Sequence, residues 1–190
     1  MKPPLPRSFY ERPTDVVARD LLGKLLVHRL PEGRVSGIVV EAEAYLGQND
    51  PGSHAYGGRT RRNAVMFGRA GVAYVYFTYG MHYCFNAVAK PPGEVGAVLI
   101  RAVEPLEGLD IMYRRRKKPL GQLTNGPAKL TQAMGIDGAH NGVDLTENHL
   151  YFSEGKRPSK IASGPRIGLS NGADLPLRFW IEGNPFVSRP

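Results

Sequence analysis

A chain of 190 residues has the usual size of one domain, and a hydrophobic content of 42% is enough for a buried core. The 23 glycines and 16 prolines make up about a fifth of the sequence, against an average near 12%, so many loops and tight turns are expected. Lys and Arg number 25 against 17 Asp and Glu, a formal charge of +8 that points to a polyanionic partner, nucleic acid or an anionic membrane surface.

The single cysteine, Cys84, excludes an internal disulfide framework and a Cys-based zinc site. The opening residues MKPPLPRSFYERP lack the apolar stretch of a signal peptide, so a reducing, intracellular setting is expected. No repeat or composition break divides the chain, and residues 1–190 read as one domain.

A first helix is expected over Thr14–Leu22, with Thr14 as its N-cap, Val17 and Leu21 on one face and Gly23 as its stop. Leu25–Leu30 and Gly37–Tyr45 read as strands. In the second, strict alternation puts Val39, Glu41, Glu43 and Tyr45 on one face and Ile38, Val40, Ala42 and Ala44 on the other. A loop follows over Gly47–Arg62, marked by Asp50-Pro51-Gly52 and Gly57-Gly58. Ala70–Ala89 is uncharged and long enough for a membrane span, but Tyr74 and Tyr76 alternate with a strand's period, and His82 and Asn86 are polar. That stretch instead reads as strands Tyr74–Tyr79 and Tyr83–Ala89 joined at Gly80. Gly96–Val103 is an apolar strand carrying one charge, Arg101.

A helix is then expected from Pro105, with Leu106, Leu109 and Tyr113 as its buried stripe, and another from Pro127 to Gly135 with Leu130 and Met134 inward. Short strands close the chain at Leu150–Phe152, Arg166–Ser170 and Arg178–Glu182. Strands and helices mix without regular alternation, which gives an α+β class.

Three readings compete for Glu41 and Glu43. They are a solvated strand face, as is common for carboxylates; a metal nuclease built from Glu41, Glu43, Asp50 and His54; or a lone general base, paired with Arg101, that activates water. An arginine inside an apolar strand needs a carboxylate partner if buried. Tyr74 and Tyr83 are expected in the core. Tyr45 shares the face of Glu43 and suits a stacked, flat ligand. Tyr79, beside a glycine at a chain reversal, is placed to project as a wedge.

The run VVEAEAYLGQNDPGSHAYGGRTRRNAVMFGRAGVAYVYFTYGMHYCFNAV resembles the 3-methyladenine (alkyladenine) DNA glycosylase family. So do ARDLLGKLLVH, GAVLIRAVEPLEGL, NGPAKLTQAMGI, RIGLS and PLRFWIEGNPFVS, and together these blocks cover nearly the whole chain. The resemblance implies a single α+β domain around a curved antiparallel sheet, with peripheral helices, a projecting hairpin and neither metal nor cofactor.

It also implies roles. Glu43 matches the general base, and Arg101 the arginine that helps hold the attacking water. Tyr45, His54 and Tyr76 match the walls of a flipped-base pocket, and Asn86 the residue that disfavours a guanine 2-amino group. Tyr79 matches the side chain that fills the gap left in the duplex. GGRTRRN is one residue shorter than the family pattern, which leaves open which of Arg59, Arg61 and Arg62 meets the DNA backbone. Lys129 reads equally as an exposed helix lysine or a phosphate contact.

The implied activity is monofunctional excision of alkylated purines from double-stranded DNA, with hypoxanthine and ethenoadenine as slower substrates. The acting species is expected to be a monomer located in the cytoplasm of a bacterium or the nucleus of a eukaryote. A non-catalytic nucleic-acid binder and a metal-dependent nuclease are the alternatives.

Overall fold

The computed structural model describes residues 2–147 and 149–188. Eight strands form one antiparallel, curled sheet: β1 (Leu25–Leu30), β2 (Gly33–Tyr45), β3 (Ala73–Thr78), β4 (His82–Val88), β5 (Ala97–Glu107), β6 (Leu150–Ser153), β7 (Ile161–Gly164) and β8 (Arg178–Ile181). Six of them run in the order β3-β4-β5-β2-β1-β6, and the β7–β8 pair attaches to β2 through β8. Four helices accompany the sheet: α1 (Arg7–Tyr10), α2 (Thr14–Leu21), α3 (Leu109–Arg116) and α4 (Pro127–Met134). This is the expected α+β class. The uncharged Ala70–Ala89 run is the β3–β4 hairpin, and no helix among the described residues is long and apolar enough to cross a membrane.

One face of the sheet packs against the helices. Val17, Ala18 and Leu21 of α2 and Leu130, Ala133 and Met134 of α4 meet Val39, Ala42, Ala44, Val75, Phe85, Val98, Ile100 and Phe152 in a single core. The opposite face carries Glu43, Tyr45, Tyr74, Tyr76, Asn86 and Arg101, because side chains alternate along each strand. A second, smaller apolar cluster of Ala55, Met66, Tyr74, Val88 and Ala97 supports the loop between β2 and β3 on that side.

The β2–β5 ladder is irregular at Ser36/Gly37, where Leu106 is skipped, and again around Glu41, and the second break matters. In the β2–β5 ladder Val39 pairs with Val103, Glu41 with Ala102 and Ala42 with Ile100, so Val40 and Arg101 are both skipped. This paired irregularity reverses the phase of each strand. Val39 therefore belongs to the same core as Ala42 and Ala44, not to the face of Glu41, Glu43 and Tyr45 that uninterrupted alternation assigned it. Bulges re-aim side chains, and here the re-aimed residue is Arg101.

Other expectations are corrected. No helix starts at Pro105: β5 runs on to Glu107, with Pro105 opposite Gly37. A Cβ on Gly37 would stand 2.8 Å from the Glu104 carbonyl oxygen, so a residue without one lets the two strands close here. The following helix, α3, starts only after Gly108, whose positive φ of 70° turns the chain. Its buried residues are Ile111 and Met112, while Leu106, Leu109 and Tyr113 are exposed.

Thr14 does not cap α2. Pro13 holds that position, and the Thr14 hydroxyl donates instead to the Ala89 carbonyl. Arg166–Ser170 is a loop rather than a strand, and the strand lies earlier, at β7. Tyr74 is buried as expected, and Tyr83 packs half-buried against the main core.

Candidate active site

Register brings the candidate residues into line. Glu43 of β2 is opposite Leu99 of β5, Leu99 is opposite Asn86 of β4, and Asn86 is opposite Tyr74 of β3. These residues form one row across four strands. Above the row opens a cavity of about 420 Å³, lined by Tyr45, His54, Tyr74, Tyr76, Asn86 and Arg101 among others. That volume lies within the range of ligand-binding clefts.

Glu41 and Glu43 are both fully buried, which overturns the reading of a solvated strand face. Glu43 Oε2 accepts from the Tyr45 hydroxyl (2.8 Å), and Oε1 accepts from the Ile167 backbone N–H (2.8 Å) with Arg101 Nη1 at 3.2 Å. All three of those partners line the cavity.

Glu41 has a different task. Its Oε1 accepts from Arg101 Nε (3.1 Å), Arg178 Nε (2.7 Å) and the Ser188 hydroxyl, and its Oε2 accepts from the Ser188 N–H. Two carboxylates and two guanidiniums thus balance in charge, and Arg101 bridges the two glutamates from its place in the bulge. The expected Glu43–Arg101 pairing is present, with Glu41 as a second partner that the sequence did not reveal. A four-residue metal set does not fit this arrangement, because Glu41 and Glu43 spend their oxygens on arginine, hydroxyl and amide donors, and both oxygens of Asp50 go to Arg166.

The aromatic walls are interlocked. His54 Nδ1 lies 2.9 Å from the Tyr74 hydroxyl, and its ring is 4.6 Å from that of Tyr76 at a steep angle. Partial burial, followed by the nearby Arg62 charge, lowers the His54 pKa below its ordinary value. Burial likewise pushes the Tyr74 phenol up to about 12 and those of Tyr45 and Tyr76 higher still, the Glu43 charge adding to the effect on Tyr45. All three remain protonated donors. Asn86 Nδ2 donates to the Tyr74 carbonyl (2.9 Å), which fixes its amide orientation and leaves its oxygen as the acceptor.

At the hairpin tip Tyr79 and Gly80 both take positive φ, 51° and 68°. The Met81 N–H donates to the Thr78 carbonyl across them. This mirror-image turn suits the twist of a hairpin, though it is uncommon for a tyrosine. The Tyr79 side chain is 83% exposed and borders the cavity mouth.

Arg59, Arg61 and Arg62 all lie exposed in the loop, and the Arg62 guanidinium sits 5.2 Å from the Tyr76 ring centre. Lys129 is half-buried rather than exposed, and its Nζ donates to Asn125.

Sequence reasoning gave no role to Arg166 or Ile167. The buried Arg166 grips Asp50 through both terminal nitrogens, donates to the Ala44 and Gly172 carbonyls, and lies 4.7 Å from the Tyr45 ring centre. It thereby seats the loop whose next residue, Ile167, gives its N–H to Glu43. A backbone donor leaves no mark in a sequence, and the only trace was an arginine inside the RIGLS block.

Residues 8–185 match the methylpurine-DNA glycosylase family profile. The chain belongs to that family. It is thus an enzyme of the DNA glycosylase type, a hydrolase of N-glycosyl bonds in DNA repair. It is 50% identical over 189 residues to a protein of Carboxydothermus hydrogenoformans, covering 97% of this chain and 98% of the relative. Proteins of Burkholderia lata and Methanoculleus marisnigri are each 50% identical over 192 residues, covering 98% and 97% of this chain and 91% and 98% of the relatives. All three bear an assignment as 3-methyladenine DNA glycosylases.

Proposed function

We propose that this chain is a monofunctional glycosylase that extrudes a damaged purine from double-stranded DNA into the aromatic cavity and hydrolyses its N-glycosidic bond with water activated by Glu43. The observation that carries the reading is the Glu43 carboxylate, fully buried and held by Tyr45, Ile167 and Arg101 directly beneath that cavity. A base inside a duplex hides its sugar C1′, so the nucleotide must leave the stack at a cost of a few kcal/mol. Tyr79, exposed at the hairpin tip, fills the vacated space and offsets part of that cost.

In the bond-breaking step the water oxygen bonds to C1′ while the glycosidic bond breaks toward the base, and Glu43 takes the water proton. The same carboxylate stabilises positive charge developing on the sugar, and Arg101, anchored by Glu41, fixes its position. An N3- or N7-alkylated purine is cationic and leaves neutral, so it needs no general acid. Its charge also favours the electron-rich faces of Tyr45 and Tyr76, worth about 0.5–2 kcal/mol. Neutral hypoxanthine and ethenoadenine lack that activation and leave more slowly, after protonation of the base. Asn86, which lines the cavity, is the proposed residue that disfavours an undamaged guanine. Arg59, Arg62 and Lys129 are the proposed backbone contacts, and the enzyme acts as a monomer.

The test is single-turnover excision from duplexes carrying one 7-methylguanine, hypoxanthine or ethenoadenine, with chelator present and a Glu43→Gln control. Gln fits the same space and can still accept from Ile167. The expected product is an intact strand that breaks only after alkali. The Gln variant should retain lesion affinity while its rate falls about 10²–10⁴-fold, the usual contribution of a general base. Strand breaks without alkali, or a Gln variant within tenfold of the parent rate, would sink this reading.

A further inference from the structure

On the helix side of the sheet, away from the cavity, three histidines converge. His28 of β1 is buried, His140 in the short turn Gly138–His140 is half-buried, and His149 just before β6 is exposed. One nitrogen from each lies within 4.8 Å of the others, the only such grouping of metal-ligating side chains among the described residues. His28 Nε2 and His140 Nε2 are 3.3 Å apart. Two nitrogens bound to one tetrahedral zinc at its usual bond length stand about 3.4 Å apart. The His149 ring centre is 5.5 Å from that of His28 and 5.8 Å from that of His140, so a small rotation of an exposed side chain completes the set.

The outer contacts fit as well. His28 Nδ1 lies 2.8 Å from the Met134 carbonyl oxygen. A carbonyl only accepts, so Nδ1 carries the hydrogen and Nε2 keeps its lone pair directed at the cluster. His140 Nδ1 is 3.0 Å from Asp137 Oδ1, the carboxylate–histidine arrangement that orients metal ligands and strengthens them as donors. Without an ion, His140 can instead accept from the Asp137 N–H at Nδ1 (3.2 Å) and donate from Nε2 to His28. The two states differ only by a tautomer. Three imidazole nitrogens with an open fourth position suit zinc far better than magnesium or calcium.

We propose that His28, His140 and His149 form a structural zinc site, with solvent as the fourth ligand. The ion would join β1, the 138–140 turn and the entry to β6. The turn leads straight into residues that brace β3: Asn141 Oδ1 accepts from the Val75 N–H, Gly142 N–H donates to the Ala73 carbonyl, and Ala73 N–H donates to the Val143 carbonyl. Zinc here would hold the outer edge of the strand that carries Tyr74 and Tyr76, and take no part in the chemistry at Glu43.

The experiment is calorimetric titration of the full, tag-free chain with zinc chloride, followed by thermal unfolding. One zinc per chain with a raised melting temperature is expected, and magnesium should have no effect. His140→Ala and His149→Ala should each abolish the shift, and because His149 is exposed its variant should fold normally. Asp137→Asn should keep the stoichiometry but weaken binding by about tenfold. Cobalt in place of zinc should give a visible absorption spectrum that His149→Ala removes. Failure of the parent chain to bind zinc, or zinc binding that survives both His140→Ala and His149→Ala, overturns the site. Excision assayed in the same samples reports on Glu43 separately.

Discussion

Replacing Asp50 by Asn tests the anchor beneath the candidate active site. The Asp50 and Arg166 side chains are 1% and 0% exposed, and each Asp50 oxygen accepts from one Arg166 nitrogen and from one backbone N–H, of Leu46 or Gly52. Asparagine would turn one of those acceptors into a donor facing two donors, and would leave a buried guanidinium without its counter-charge. Breaking one side of a buried pair costs about 3–5 kcal/mol, and in a chain of this size each kcal/mol moves the melting point by about 2–4 °C. A drop of about 6–20 °C is expected.

Arg166→Met leaves the opposite charge buried and should also destabilise. The double variant, with neither charge, should be more stable than the sum of the two losses by about 2 kcal/mol or more. Urea unfolding of all four proteins measures this cycle. A single Asn variant within about 1 kcal/mol of the parent, or strict additivity, would refute the reasoning.

The pH dependence has a definite sign. Burial alone would raise the Asp50 carboxyl, but Arg166 and the two amides hold it below its ordinary value. A depressed folded pKa stabilises the protein above the unfolded value of about 3.9, and that stability is lost as pH falls through the folded value. The gap between parent and Asn variant should therefore be full at neutral pH and close below about pH 4.

Tyr79→Ala should lower affinity for a lesion-bearing duplex by about 10–100-fold, the worth of one aromatic stacking contact, and Tyr79→Phe should restore it; equilibrium binding by fluorescence anisotropy measures both. Tyr45→Phe removes the hydroxyl that donates to Glu43 while keeping the ring. A hydrogen bond to a buried charge is worth about 1.5–3 kcal/mol, so both unfolding free energy and excision rate should fall, and an unchanged pair of values would contradict the proposed geometry.

Much of this architecture was legible beforehand because it rests on side-chain periodicity. The alternation of Tyr74 and Tyr76, the stop at Gly80 and the Pro127–Gly135 helix are local signals that tertiary packing then confirmed. The row from Glu43 to Tyr74 needed only strands in register. The failures were non-local. The bulge that reverses Val39 exists because two long strands must accommodate Arg101 between two glutamates. Pro105 stays in a strand because Gly37 opposite it has no side chain. For the site, the glutamates and tyrosines announced themselves by residue type, whereas the Ile167 amide and the Arg166 clamp depend on a loop folding back onto the sheet from more than a hundred residues away.

The exposed tip at Tyr79 and the cavity wall at Tyr76 belong to one uninterrupted hairpin, three residues apart, which is about 10 Å of strand. Their separation is a ruler cut into the backbone itself. If the tip enters a duplex, the wall must travel with it, so the depth of insertion and the placement of the receiving surface cannot be tuned independently. A residue added to or removed from β3 would shift the tip by about 3 Å and also turn the intervening rings to the other face of the sheet. Variation in reach is thus confined to the side chains at the tip, where Tyr79 and Met81 are both exposed, while the strand between tip and wall keeps a fixed length.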